Sequence, residues 1–217
     1  MNENCEILSI TTDDGIELEG VAYEPQDAKN TILFFGGKEH DSVGLINRLA
    51  SRFENSRIIT FNYRSYGRSA GVINEKNILE DAKKIAEIVQ KNYGDFYILG
   101  FSIGASVAAS VATSHKSLGL FLVGAFDSIA SIAKAKYRVV PSWLIRYKFD
   151  NIEFVKDIKA PIYIFSSKRD ELISIQNSRN LKNSIKNLVY YKEFEYLTHK
   201  ELLWNSEVSN KINGVLL

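Results

Sequence analysis

Eight short apolar runs recur along the chain, most of them rich in β-branched or aromatic residues, and from the third onward helical segments separate them. This alternation constrains the fold more than any other feature. Runs such as TILFFGG, RIITFNY, DFYILG, LGLFLVGAF and PIYIFSS are too uniformly apolar for strands with one wet face and read as strands buried on both. Strands alternating with helices imply an α/β architecture, a mostly parallel central sheet with helices on both faces. In such sheets chemistry gathers beyond the C-terminal ends of the strands.

The elements follow in order. CEILSITT and IELEGVAYEP flank Asp13-Asp14-Gly15 and read as an antiparallel hairpin. After TILFFGG (Thr31–Gly37), the segment DSVGLINRLASRF sets Val43, Ile46, Leu49, Ala50 and Phe53 on one helical face. RIITFNY is the next strand. Ile78, Ala82, Ile85 and Val89 then mark an amphipathic helix that ends in Asn-Tyr-Gly. DFYILG, a helix of small residues, LGLFLVGAF, PIYIFSS, a helix over Ile175–Ile185, the strand LVYYKEF and one short terminal helix complete the chain. The segment from Asp127 to Lys159 is too long for a simple connection. It carries Trp143 and Tyr147, expected to offer apolar area to a substrate, and reads as a small helical cap after the sixth strand. Residues 1–217 read as one domain, with 127–159 as its small cap insertion.

Composition narrows the class. Hydrophobic residues make up 45% and charged residues 24%, as in a soluble globular protein, and the net charge of +1 calls for no nucleic-acid partner. Cys5 is the only cysteine, so no intrachain disulfide forms. The start MNENCEILSI lacks the basic and then apolar stretch of a signal peptide, and no apolar run reaches the ~20 residues of a membrane span. The expectation is a cytoplasmic protein without a transmembrane segment, cofactor or metal, its oligomeric state left open.

The motif with chemical content is Gly100-Phe101-Ser102-Ile103-Gly104, between an apolar strand and a helix. This G-x-S-x-G arrangement in strand–turn–helix context is the nucleophile elbow, which holds a serine hydroxyl exposed on a strained corner. A serine needs a base. Of His40, His115 and His199, only His199 in EYLTHKELLW follows the last strand, as the order Ser, acid, His of this elbow requires. His40 stands near the expected site, and His115 at the far end of the helix reads as solvated. Asp170, just past PIYIFSS, is the expected acid; Glu171 beside it and Asp127 after LGLFLVGAF are the other candidates. The backbone N–H groups of Ile103 and Lys38 are expected to hold an oxyanion, with Gly36-Gly37 letting the chain turn inward and Gly37 lining the substrate site.

Together FFGGKEH, ITFNYRSYGRSAG, YILGFSIGASVA, APIYIFSSKRDELI and YLTHKEL resemble the α/β-hydrolase superfamily, and within it the small abhydrolase-domain serine hydrolases. The resemblance spans Thr31 to about Leu203. It implies Ser102 as nucleophile, Asp170 as orienting acid and His199 as base, acting on a small-molecule carboxylic ester or thioester. A peptidase, an acyltransferase and a non-catalytic binding protein of this fold are the alternatives. The chain departs from the family pattern at Gly36, where a histidine is usual, and at Ser65, where a glycine is. Arg64 and Arg68 read as structural supports of the FNYRSYGRSAG loop.

Overall fold

The computed structural model describes residues 3–38, 40–136 and 147–216. Strands β1 (Cys5–Thr11), β2 (Glu17–Tyr23), β3 (Asn30–Phe35), β4 (Ser56–Phe61), β5 (Tyr97–Phe101), β6 (Gly119–Val123), β7 (Ile162–Ser167) and β8 (Leu188–Phe194) form one sheet. Their order is β1-β2-β4-β3-β5-β6-β7-β8. β1 pairs antiparallel with β2, and β2 with β4; all other pairs are parallel. The hairpin turns at Gly15, whose φ of +81° is open to glycine at no steric cost.

Helices cover both faces. The side chains of successive strand residues point to opposite sides, so Leu33, Ile59, Ile98, Leu120 and Ile164 pack in one core with α2 (Glu75–Tyr93) and α3 (Ile103–Ser114). Ile32, Phe34, Ile58, Phe121 and Phe165 pack in the other with α1 (Ile46–Ala50), α7 (His199–Trp204) and α8 (Ser206–Leu216). Asn74 caps α2 by accepting the Asn77 N–H, and Gly94 ends it at φ +79°. The remaining helices are α4 (Ile129–Lys136), α5 (Asn151–Val155) and α6 (Ile175–Asn183).

Three expectations are corrected here. The first helix covers five residues rather than the whole of DSVGLINRLASRF. Asn62 Oδ1 takes the N–H groups of Ser42 and Val43, and Asp41 Oδ1 takes that of Gly44, so side chains divert the backbone before the helix starts. The chain ends in two helices, not one, because Asn205 is extended (ψ 133°) and its side chain accepts the Glu207 N–H. The segment 127–159 also divides. Phe149 is fully buried, and Asn151 donates to Ser106 Oγ at 2.9 Å and to the Phe126 carbonyl at 2.7 Å, which joins α5 to the body against α3. Among the described residues of the segment, Ile129 and Ile132 of α4 line the cavity at the strand ends.

Buried Arg64 does act as a structural support: it binds Asp81 at 2.8 Å and Asp14 at 2.6 Å, tying the loop after β4 to α2 and the hairpin. The guanidinium holds the Asp14 carboxyl well below the usual carboxylate range. Arg68 is exposed; its backbone N–H donates to Glu19 Oε2 at 2.7 Å, and its guanidinium lies 3.9 Å from Glu19 Oε1. Ser65 has φ +67°, in the left-handed region that favours glycine.

A second ion pair gives an acid-stability prediction. Arg179 on α6 forks onto Glu193 of β8 at 2.8 and 2.7 Å, and with the Tyr191 hydroxyl it lowers the Glu193 carboxyl to about 2. A carboxylate depressed on folding stabilises the native state above its unfolded value of about 4.3 and loses that contribution as the pH falls towards 2. The Tm gap between wild type and Arg179→Met should therefore be open at pH 6 and close by about pH 2. A gap unchanged with pH would show that the pair contributes nothing through ionisation.

Candidate active site

The site lies where β3, β5 and β6 end. Ser102, between β5 and α3, has φ +58° and ψ −121°, a region that L-residues avoid. The flanking glycines leave no choice of residue. A Cβ on Gly100 would lie 2.4 Å from the Gly104 carbonyl oxygen, and one on Gly104 would lie 2.1 Å from that of Phe35. Sheet and helix thus meet backbone to backbone and fix the serine corner. Ile103 N–H follows at the first turn of α3, where the helix supplies no acceptor of its own.

The loop after β3 is held from three sides. Tyr63 donates its hydroxyl to the Gly36 carbonyl at 2.9 Å, and Tyr66 donates to the Lys38 carbonyl. His40 closes the turn twice: its Nδ1 accepts the Gly37 N–H at 3.2 Å, and its own N–H donates to the Gly37 carbonyl at 3.1 Å. In a planar trans peptide the Lys38 N–H points opposite to that carbonyl. The Gly37 N–H is consumed by His40, while no acceptor among the described residues takes the Lys38 N–H.

His199 is buried in the first turn of α7. Thr198 and Glu201 form a capping box that starts α7. The T-x-x-E spacing was visible in the sequence and would have located this helix. Nδ1 of His199 lies 2.6 Å from Asp170 Oδ2, and Asp170 Oδ1 accepts the N–H groups of Leu172 and Ile173 at 2.9 and 2.8 Å. Glu171 holds the other end of the histidine, accepting its backbone N–H at 3.0 Å. Nε2 is buried and has no hydrogen-bond partner among the described residues.

Two supports were not foreseen. Phe101 lies between the imidazoles, its ring 5.2 Å from His40 at 9° and 4.9 Å from His199 at 35°. Gly124 ends β6 at φ +60°, and a Cβ there would stand 3.0 Å from His199 Cε1 and 3.3 Å from Nδ1. The run LGLFLVGAF gives no local sign of this contact, which arises only when the strands are side by side. Gly124→Ala should misplace the imidazole and lower kcat/KM about 100-fold, besides costing about 1 kcal/mol of stability at its positive φ. Kinetics and a melting curve on the purified variant check both. Full activity would mean that the ring moves freely.

Asp127 is elsewhere engaged. Its buried carboxylate accepts Ser128 N–H at 2.7 Å, Asn177 Nδ2 and Asn180 Nδ2 at 2.9 Å each, and the Ser131 hydroxyl. It ties α4 to α6. His115, at the far end of α3, contacts Ser114 Oγ at 3.1 Å. Tyr147 packs beside Phe149 with its hydroxyl 3.5 Å from the Ile73 carbonyl, away from the cavity at Ser102. Trp143 lies outside the described residues.

Ser102, Ile103, Gly37, Lys38, His40 and Lys200 border a cavity of about 280 Å³. Phe126, Ile129, Ile132, Leu172 and Ile173 supply its apolar wall, in part from α4. A second, more polar groove of about 820 Å³ adjoins it and shares His40 and Lys200.

The strand order and the helices on both faces of the mostly parallel sheet are those of the α/β-hydrolase fold, and comparison with known proteins agrees. No family model matches the chain. It is 25% identical over 209 residues to an uncharacterised protein of Acanthamoeba polyphaga mimivirus, covering 85% of this chain and 71% of that one. It is 29% identical over 145 residues to lysophosphatidylserine lipase ABHD12 of Macaca fascicularis, covering 57% of this chain and 36% of the lipase. The chain therefore spans little more than a third of that lipase's length. Esterase Pf2001 of Pyrococcus furiosus superposes with a TM-score of 0.72 at 20% identity, over 98% of this chain and 91% of the esterase. For an alpha-beta hydrolase from Vibrio vulnificus the TM-score is 0.81 at 16% identity, covering 99% and 82%. Among the described residues no helix is long and apolar enough to cross a membrane.

Proposed function

We propose that the protein is a serine hydrolase of carboxylic esters or thioesters. The observation that carries this reading is Ser102 held at φ +58° on the rim of an apolar cavity. Backbone strain of this size persists only where surrounding structure enforces it, and it gathers at functional positions. Two further features support it: the Asp170–His199 contact, and a buried imidazole Nε2 left without a partner.

In this mechanism Ser102 Oγ attacks the acyl carbon while His199 Nε2 takes its proton. The Ile103 and Lys38 N–H groups stabilise the negative charge that develops on the carbonyl oxygen. The carbon–oxygen or carbon–sulfur bond breaks, and His199 returns the proton to the leaving group. Water then attacks the acyl-serine, His199 takes the water proton, and its return to Ser102 releases the acid. Asp170 keeps the proton on Nδ1 and stabilises the imidazolium. The cavity wall of Ile129, Ile132, Leu172 and Phe126 accepts the acyl chain. The likeness to an esterase and to a lysophospholipid lipase supports the same class of substrate.

The test is a fluorophosphonate probe followed by mass-spectrometric mapping, beside turnover of straight-chain esters. The probe should modify Ser102. With each added methylene kcat/KM should rise about fourfold, from ~0.8 kcal/mol of burial, until the cavity is filled. A folded protein that neither reacts with the probe nor hydrolyses any ester of the series would remove the proposal.

A further inference from the structure

The groove beside the Ser102 cavity is lined by two arginines and a lysine, Arg48, Arg52 and Lys200. It runs between α1 and α7, lined by Leu45, Arg48 and Arg52 on one side and by Leu197, Lys200 and Trp204 on the other. The Arg48 guanidinium lies 3.8 Å over the Trp204 ring, which orients it without neutralising it. Among the described residues neither Arg48 nor Arg52 forms a salt bridge with a carboxylate. Among the described residues that line the groove the one acid is Glu201, whose Oε2 accepts the Thr198 N–H at 2.7 Å and the Thr198 hydroxyl at 2.8 Å.

Its position relative to the chemistry says which part of a substrate it meets. Lys200 follows His199 in the chain, and Lys200 and His40 line both the groove and the Ser102 cavity. The apolar wall of Phe126, Ile129 and Ile132 belongs to the cavity alone. The leaving oxygen or sulfur must receive its proton from His199, so the leaving group departs on the side of α7, where the groove begins. We propose that the substrate is an ester or thioester whose leaving group carries a phosphate, bound by Arg48 and Arg52 while the acyl chain fills the cavity. This rests on the hydrolase reading above. Only the acyl bond breaks; the phosphate departs intact on its alcohol or thiol. Guanidinium forks match phosphate oxygens in charge and geometry.

A glycerophosphate headgroup and coenzyme A both supply such a phosphate. Binding is measured by calorimetry on Ser102→Ala protein, so that turnover plays no part. The probes are mono-octanoylglycerol, octanoyl glycerophosphate and octanoyl coenzyme A. At least one phosphorylated probe should bind about tenfold more tightly than the neutral one, and added salt should erode the difference; which one identifies the source. In Arg48→Gln/Arg52→Gln the preference should vanish. Arg52→Gln alone, which leaves the Arg48–Trp204 contact in place, should remove part of it. Equal affinity for all three probes, or a preference that survives both substitutions, overturns the phosphate groove whether or not the wild type hydrolyses esters. Loss of neutral-ester hydrolysis in the wild type would count against the hydrolase reading instead.

Discussion

Ser102→Gly is expected to abolish ester hydrolysis and yet to yield a more stable protein than Ser102→Ala. Both variants remove the attacking oxygen, and a triad stripped of its nucleophile loses about six orders of magnitude in kcat. Their stabilities should part. At φ +58° and ψ −121° any residue with a Cβ is strained, at a cost of about 1–3 kcal/mol, and alanine keeps that Cβ. Glycine relieves it but loses about 0.4–1 kcal/mol to the greater freedom of its unfolded chain. The Ser102 side chain makes no helix-capping hydrogen bond, so neither variant forfeits a cap. The net expectation is Ser102→Gly above Ser102→Ala by about 1 kcal/mol. Chemical denaturation of the two, read beside ester turnover, checks it. If alanine were as stable as glycine, the elbow would store no strain; activity in either variant would remove Ser102 from the mechanism.

The parts of this fold that were legible in the sequence are those that local chemistry decides. Runs such as TILFFGG and PIYIFSS supply most of β3 and β7 because burial on both faces demands unbroken apolar residues. The strand–turn–helix corner at Ser102 was legible because two glycines and a serine at fixed spacing between an apolar run and a helical one leave few alternatives. What escaped depends on residues brought together from far apart. Asn62, beyond β4, captures the Ser42 and Val43 amides ahead of α1, and Gly124 just after β6 makes room for a ring on α7. Tyr63 and Tyr66 were read as part of a family signature, yet their hydroxyls hold the Gly36 and Lys38 carbonyls. No local pattern announces such contacts. The T-x-x-E box before His199 was readable and overlooked.

The choice of acid shows the same division, because the sequence left Asp127 beside Asp170. Both are acidic residues placed after apolar strands; their partners distinguish them. Asp170→Asn should lower kcat about 10⁴-fold while leaving the fold intact. The asparagine carbonyl can still accept the Leu172 and Ile173 amides that Asp170 Oδ1 accepts now, so the loop keeps its anchor. Its amide NH₂ would then face His199 Nδ1 and donate to it. That selects the tautomer protonated on Nε2, which cannot take a proton from Ser102. Asp127→Asn should do the opposite. Its carboxylate accepts from Ser128, Ser131, Asn177 and Asn180, and an amide placed there turns a donor towards donors. The expected loss is about 1–3 kcal/mol of stability, with kcat of the remaining folded protein changed by less than about tenfold. Measuring kcat and denaturation midpoint for both variants separates the roles. A catalytic collapse in Asp127→Asn with Asp170→Asn still active would exchange the two acids and place the orienting carboxylate after β6.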